Sequence, residues 1–183
     1  MRLDHIAYRT KDRYKTAKFF EEAFGYKIGI EFQIEFDDDS KAECMAMVPP
    51  EVRAPDTDDW QFNAFCPAPY EPLKCELHAP PEIFISDGHS GSIVGDWVEE
   101  RGGVGGIHHI AYQTNDVEGV MNEWKRNGYA EFLSDEPLRC PGLEQVFTKP
   151  SELTGVIYEL IRREGKGFCE LNVKGLMEST KGV

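Results

Sequence analysis

The same short motif occurs twice in this chain. His5-Ile6-Ala7-Tyr8, followed by Thr10 and Asp12, returns as His109-Ile110-Ala111-Tyr112, followed by Thr114 and Asp116. Each copy runs into a stretch of helical spacing that stops at a Gly-Tyr pair, Gly25-Tyr26 and Gly128-Tyr129. A chain that repeats a unit in this way uses one structural element twice. The repeat also sets two matching histidines on halves that can face each other, and facing imidazoles usually hold a metal.

The periodicity around each copy supplies the remaining elements. Residues 2–10 alternate, with Leu3, His5 and Ala7 on one face and Ile6 and Tyr8 on the other, the period of a strand. Residues 12–24 place Ala17, Phe20, Ala23 and Phe24 at helical spacing, and Gly25 stops the helix. Strands are expected at 26–36, 42–48 and 81–86, with Asp37–Ser40 as a solvated turn. Residues 49–80 hold a long segment rich in Pro, Asp and aromatics, of the kind that serves as a lid or a contact surface. A connecting helix at 91–101 and a glycine hinge at 102–106 lead to a second set. That set is a strand at 107–114, a helix at 116–127 with Val117, Val120, Met121 and Trp124 inward, and strands near 129–133, 143–148 and 155–162. A last helix at 170–180 has Leu171, Leu176 and Met177 as its apolar positions. The expected organisation is α+β, two βαβββ modules at 1–101 and 102–183.

Composition narrows the partners. A net charge of −13 and a pI near 4.8 exclude the basic footprint of a nucleic-acid binder and disfavour anionic membrane surfaces. No apolar run approaches the ~20 residues of a bilayer span, and no leader pattern precedes the first strand. The five cysteines, Cys44, Cys66, Cys75, Cys140 and Cys169, are odd in number and form no C-x-x-C pair. They read as free thiols of a reducing, cytoplasmic protein.

Alternation decides which side chains can meet. His5 and His109 lie opposite the apolar pairs Ile6/Tyr8 and Ile110/Tyr112, which are the better candidates to pack beneath helices. The histidine faces then line an open, curved pocket. Glu159 sits in mid-strand among Val156, Ile157, Leu160 and Ile161, where a carboxylate is costly unless it is paired or metal-bound. Two imidazoles and one carboxylate make the facial set typical of non-haem Fe(II) sites, which leaves coordination positions open. His5, His109 and Glu159 are therefore the candidate metal ligands. Glu82, in Glu-Ile-Phe against the Glu-Leu-Ile at 159, is a candidate fourth ligand or a rim carboxylate. His108 should point away from the metal, into a packed or surface position.

The paired HIAY strands and the doubled strand-helix-strand-strand-strand order resemble the vicinal-oxygen-chelate (glyoxalase-like) superfamily over residues 2–163. There, two modules form a cup-shaped mixed sheet around one divalent metal. Three stretches resemble the catalytic half of the 4-hydroxyphenylpyruvate dioxygenase family: GGVGGIHHIAYQTND from Gly102, EQVFTKP from Glu144, and YELIRREGKGFCELNVKGLMEST from Tyr158. That resemblance implies that His5, His109 and Glu159 are iron ligands, that Gln145 lines the substrate pocket as a catalytic residue, and that Phe168 and the following helix gate the pocket. The chain departs from the family pattern at His108, where a glutamine is usual, at Ser86-Asp87-Gly88, and in the tail at Cys169, Leu171, Val173 and Met177.

Three functional expectations follow. The first is an Fe(II) dioxygenase acting on an aromatic 2-oxo acid, with dioxygen as co-substrate and the C-terminal helix excluding water. The second is a redox-neutral metal enzyme of the glyoxalase or epimerase type, in which Glu82 completes a four-residue site and the metal stabilises an enolate. The third is a non-catalytic small-molecule binding protein. A homodimer through exposed sheet edges is compatible with each.

Overall fold

The computed structural model describes residues 1–50, 81–164 and 169–182. The segment at 51–80, with His78, Cys66 and Cys75, and the gating residue Phe168 lie outside the described residues. The elements run β1 (Arg2–Arg9), α1 (Arg13–Phe24), β2 (Lys27–Glu35), β3 (Lys41–Val48), β4 (Glu82–Asp87), α2 (Ile93–Glu100), β5 (Gly106–Gln113), α3 (Val117–Asn127), β6 (Leu138–Cys140), β7 (Leu143–Phe147), β8 (Ile157–Arg163) and α4 (Glu170–Ser179). All eight strands form one mixed sheet in the order β2-β3-β4-β1-β5-β8-β7-β6. The two repeated strands, β1 and β5, are antiparallel neighbours at its centre, and β4 and β8 flank them in parallel.

The repeated residues have repeated jobs. Asp12 caps α1 by accepting from the Lys15 amide at 3.0 Å, and Asp116 caps α3 by accepting from the Gly119 amide at 2.8 Å. A carboxylate there satisfies one of the orphan amides of the first turn and suits the helix dipole. Gly25 and Gly128 end the two helices in the left-handed region, at φ 74° and 68°, which a residue with a Cβ enters only at a cost. Helix α1 then lies on the face that Ile6 and Tyr8 present, whereas α3 lies over β7 and β8. Ala17 and Phe20 of α1 pack with Met45, Met47, Ile83 and Ile85. Val117 and Met121 of α3 pack with Val146 and Leu160. Full burial of one such large side chain contributes about 1.5–3 kcal/mol. Ala23 and Phe24, expected on the inner face of α1, are exposed among the described residues. The buried stripe is narrower than the spacing suggested, because Tyr26 beyond the cap takes the position against Phe20.

The opposite face is roofed by α4, not open. Val173 and Met177 join Ala7, Phe84 and Ile93 in one cluster, while Leu176 packs with Phe147 and Ile157. The inner face of α4 is therefore Asn172, Val173, Leu176 and Met177. Leu171, expected there, is 79% exposed. Ion pairs from Lys174 to Asp37 (2.7 Å) and Lys181 to Asp38 (3.4 Å) join the helix to the β2–β3 turn, so that turn is not merely solvated.

Two further expectations are corrected. The segment 129–133 is not a strand; it makes one isolated bridge, Phe132 to Thr148. The edge strand forms later, at β6, because Leu138 finds apolar neighbours in Phe147 and Leu176 whereas Tyr129 is left 69% exposed. Cys140 and Cys169 are not free thiols. They form a disulfide that ties the start of α4 to β6, with Cα atoms 6.8 Å apart, and Cys44 is a buried free thiol. Among the described residues no helix is long and apolar enough to cross a membrane.

Candidate metal centre

The repeat explains itself in the β1–β5 register. His5 stands opposite Ala111, and Ala7 stands opposite His109. Each imidazole therefore rises beside a residue with only a methyl side chain, and Ala7 and Ala111 are both buried. The His-x-Ala spacing in one copy makes room for the histidine of the other. Glu159 on β8 pairs with Ala111 on the other side, which sets its carboxylate next to both rings.

The three donors converge. His5 Nε2 and His109 Nε2 are 3.2 Å apart, and each is 3.2 Å from Glu159 Oε2. For metal–ligand bonds of about 2.1 Å, that spacing subtends about 100° at a common centre, close to one face of an octahedron. All three residues are buried. The donor set fits a divalent first-row cation. It is the only such group of histidine, cysteine and carboxylate donors found among the described residues.

Each histidine is oriented by the residue before it, through a break in the ladder. The β1–β5 register shifts between Leu3 and His5 and again between Ala7 and Tyr8. The first shift leaves Asp4 as an extra residue on β1; the second leaves His108 as an extra residue on β5. A bulge of this kind re-aims a side chain. Asp4 Oδ1 accepts from His5 Nδ1 at 2.7 Å, and His108 Nδ1 lies 2.9 Å from His109 Nδ1. Both rings are thus held at Nδ1, with Nε2 turned to the shared centre, as a metal-ligating histidine would need. The same bulge corrects the expectation for His108. It is packed, against Trp97 and His109, but it borders the pocket instead of pointing away from it, because the bulge breaks the alternation.

The remaining partners extend the site. Arg163 donates to both oxygens of Asp4, with Nε 3.2 Å from Oδ2, and to Glu82 Oε2 at 3.0 Å. Gln145 Nε2 donates to Glu159 Oε1 at 2.6 Å, and Asn172 on α4 donates to Gln145 Oε1 at 3.3 Å. Gln145 therefore lies beside the three candidate ligands, and α4 reaches the centre through Asn172.

The electrostatics are those of a cation site. Burial pushes the His5 pKa down, but the Glu159 charge and the bond to Asp4 outweigh it and raise the pKa to about 9. Burial pushes the Glu159 carboxyl up, but the His5 charge and the bonds from both histidines hold it far below its ordinary range. His109 is lowered, chiefly by burial against the opposing pull of Glu159. A proton on His5 thus takes the place of the positive charge that the three donors are arranged around.

Glu82 does not join the triad. The internal symmetry that exchanges His5 with His109 and Ala7 with Ala111 carries Glu159, the partner of Ala111, onto the partner of Ala7. That partner is Phe84. Glu82 pairs with His5 instead, so its counterpart is Ile157, two residues from Glu159. The Phe84 ring stands 6.4 Å from the His5 ring, and the Glu82 carboxylate is bonded to Arg163. The sequence does not single out Asp4, Phe84, Arg163 or Asn172. Only the Asp4-His5 adjacency carried a signal, since a ligand histidine needs an acceptor at its second nitrogen.

Above the triad lies a small cavity of about 30 Å³, walled by Phe84, Phe147, Val173, Leu176 and Met177 on its apolar side. The family model of the glyoxalase/bleomycin resistance protein/dioxygenase superfamily matches residues 4–139. The chain belongs to this superfamily. Solved structures with the same fold include a methylmalonyl-CoA epimerase, at 22% identity and TM-score 0.62, covering 90% of this chain and 97% of that one. A methylmalonyl-CoA epimerase from Mycobacterium tuberculosis shares 16% identity, with TM-score 0.59 and coverage of 89% and 88%. A mutant 4-hydroxymandelate synthase from Streptomyces coelicolor shares 19% identity, with TM-score 0.68, covering 98% of this chain. The chain spans only 53% of that synthase. No curated protein sequence matches it. The superfamily assignment bears out the α+β cup expected from the duplicated motif.

Proposed function

We propose that this superfamily member is a non-haem Fe(II) dioxygenase acting on an aromatic 2-oxo acid, with His5, His109 and Glu159 as the iron ligands. The observation that carries the proposal is Phe84. The symmetry-equivalent position to Glu159 holds a phenyl ring, so the donor set stays at three and one whole face of the cation is left to ligands from solution. Bound there, Fe(II) would supply the electrons that activate dioxygen toward a 2-oxo acid.

The protein's own residues do the rest. Gln145 fixes the outer oxygen of Glu159, so that the carboxylate keeps one oxygen for the metal, and its position at the cavity lets it orient the substrate. Phe84 and Phe147 offer faces for an aromatic ring, the latter 4.6 Å from the His109 ring. Val173, Leu176 and Met177 exclude water from above.

The test is oxygen uptake and carbon dioxide release by Fe(II)-reconstituted protein on a panel of aryl-pyruvates. Turnover that disappears in His109→Ala and Glu159→Ala supports the proposal. Iron bound at the triad without oxygen uptake on any member of the panel refutes it. Solvent deuterium entering an acyl thioester or 2-oxo acid beside its carbonyl, with no oxygen consumed, would favour the redox-neutral alternative instead.

A further inference from the structure

Arg9 lies on the same face of β1 as His5 and Ala7, is 2% exposed, and borders the cavity. One arm of its guanidinium is satisfied: Nη2 donates to Thr180 Oγ1 at 2.8 Å. The other, Nη1, is buried with no hydrogen-bond partner among the described residues. Asp38, Asp96 and Glu100 border a second cleft that Arg9 also lines, yet none of them forms an ion pair with it. The face of Trp97, 5.7 Å from the guanidinium carbon, is its other cation-stabilising neighbour. A buried guanidinium without a carboxylate is costly, and burial together with the Arg101 charge pushes its pKa down to about 9.

A second orphan stands close by. His108 packs on the same Trp97, with ring centroids 5.7 Å apart, and its Nε2 is also buried without a partner among the described residues. Its tautomer follows from the metal site. If His109 gives Nε2 to the cation, His109 Nδ1 keeps its hydrogen and donates to His108 Nδ1. His108 must then carry its hydrogen on Nε2, as a donor at the cavity wall.

We propose that Arg9 Nη1 and His108 Nε2 form an anion subsite that takes a carboxylate at the end of the substrate remote from the metal. The inference rests on the reading that the triad holds a cation and the 2-oxo acid head of the substrate. A divalent cation with one carboxylate ligand leaves one positive charge, and Arg9 adds a second. A dianion neutralises both and satisfies both orphan donors, whereas a neutral arene leaves Arg9 buried and unpaired. The substrate class is a 2-oxo acid with a second carboxylate, on its ring or at its chain end.

The experiment uses Zn(II)-loaded protein, in which no oxygen chemistry occurs, and reads binding by calorimetry. The probes are phenylpyruvate, 4-methylphenylpyruvate and 4-carboxyphenylpyruvate, with benzoate as a carboxylate lacking the chelating head. The 4-carboxy compound should bind at least tenfold more tightly than the 4-methyl compound, and Arg9→Met should bring that ratio close to one. Arg9→Gln, which keeps a donor for Thr180, should do the same if the methionine variant does not fold. Benzoate should raise the melting temperature of the wild type and not of either variant. A ratio near one in the wild type, with phenylpyruvate still bound, overturns the subsite and leaves the metal reading intact. Failure of every 2-oxo acid, with benzoate protection that depends on Arg9, supports the subsite and overturns the chelating head.

Discussion

Metal affinity should depend on pH through one proton, and the structure says which. His5, raised to about 9, is protonated at neutral pH; Glu159 is already ionised, and His109, lowered, is already neutral. A cation must therefore displace the His5 proton and no other. Two pH units below that pKa only about one molecule in a hundred has a free His5 nitrogen, so apparent affinity near neutrality is about 100-fold below its plateau, or about 3 kcal/mol. The sign holds for the metal-free fold as well. A raised imidazole pKa stabilises it fully below its ordinary value of 6.5, and that stabilisation is lost as pH rises through about 9. Metal should gain as the metal-free protein weakens. Competition of Zn(II) against a chromophoric chelator, read between about pH 6.5 and 9, should show affinity rising tenfold per unit and then levelling. Calorimetry in buffers of different ionisation enthalpy should count one proton released near neutrality. Asp4→Asn, which removes the negative charge beside His5 Nδ1, should bring the plateau to lower pH. An affinity flat across this range, or a slope of two protons, refutes the assignment.

Two stability predictions rest on local structure. Gly128→Ala adds a Cβ that meets nothing within 4 Å, so its cost is the φ of 68° alone, about 1 kcal/mol; Gly105→Ala would place a Cβ 2.7 Å from the Arg9 carbonyl oxygen and should lose more, both read by urea denaturation. Met121→Ala empties a position 1% exposed beneath α3 and should cost about 2–5 kcal/mol in the same assay, with the metal stoichiometry unchanged.

Much of the centre was legible because its grammar is periodic. Strand alternation put His5, His109 and Glu159 on inner faces, and the repeated Asp and Gly marked both ends of both helices. What escaped the sequence depends on register across strands. Glu82 resembles Glu159 in its neighbours, but pairing, not neighbourhood, fixes which position faces which, and pairing sets Phe84 there. His108 escaped for a related reason: a bulge needs two strands to exist, so one strand's alternation cannot announce it. Leu171 looked like core until the hydrogen bond from Asn172 to Gln145 fixed how α4 is rolled. The disulfide joins segments 29 residues apart in sequence, whose proximity only the folded sheet defines.

The two bulges make residues 4 and 108 parity markers for their strands. Excision of His108 would remove the second of the two breaks in the β1–β5 ladder and force a choice on everything upstream of it. Either Gly106 and Ile107 swap faces, or His109 turns outward and the candidate centre loses a donor. Length at that point is therefore fixed as tightly as chemistry, and lineages descended from this duplicated unit should tolerate substitution at 108 far more readily than deletion.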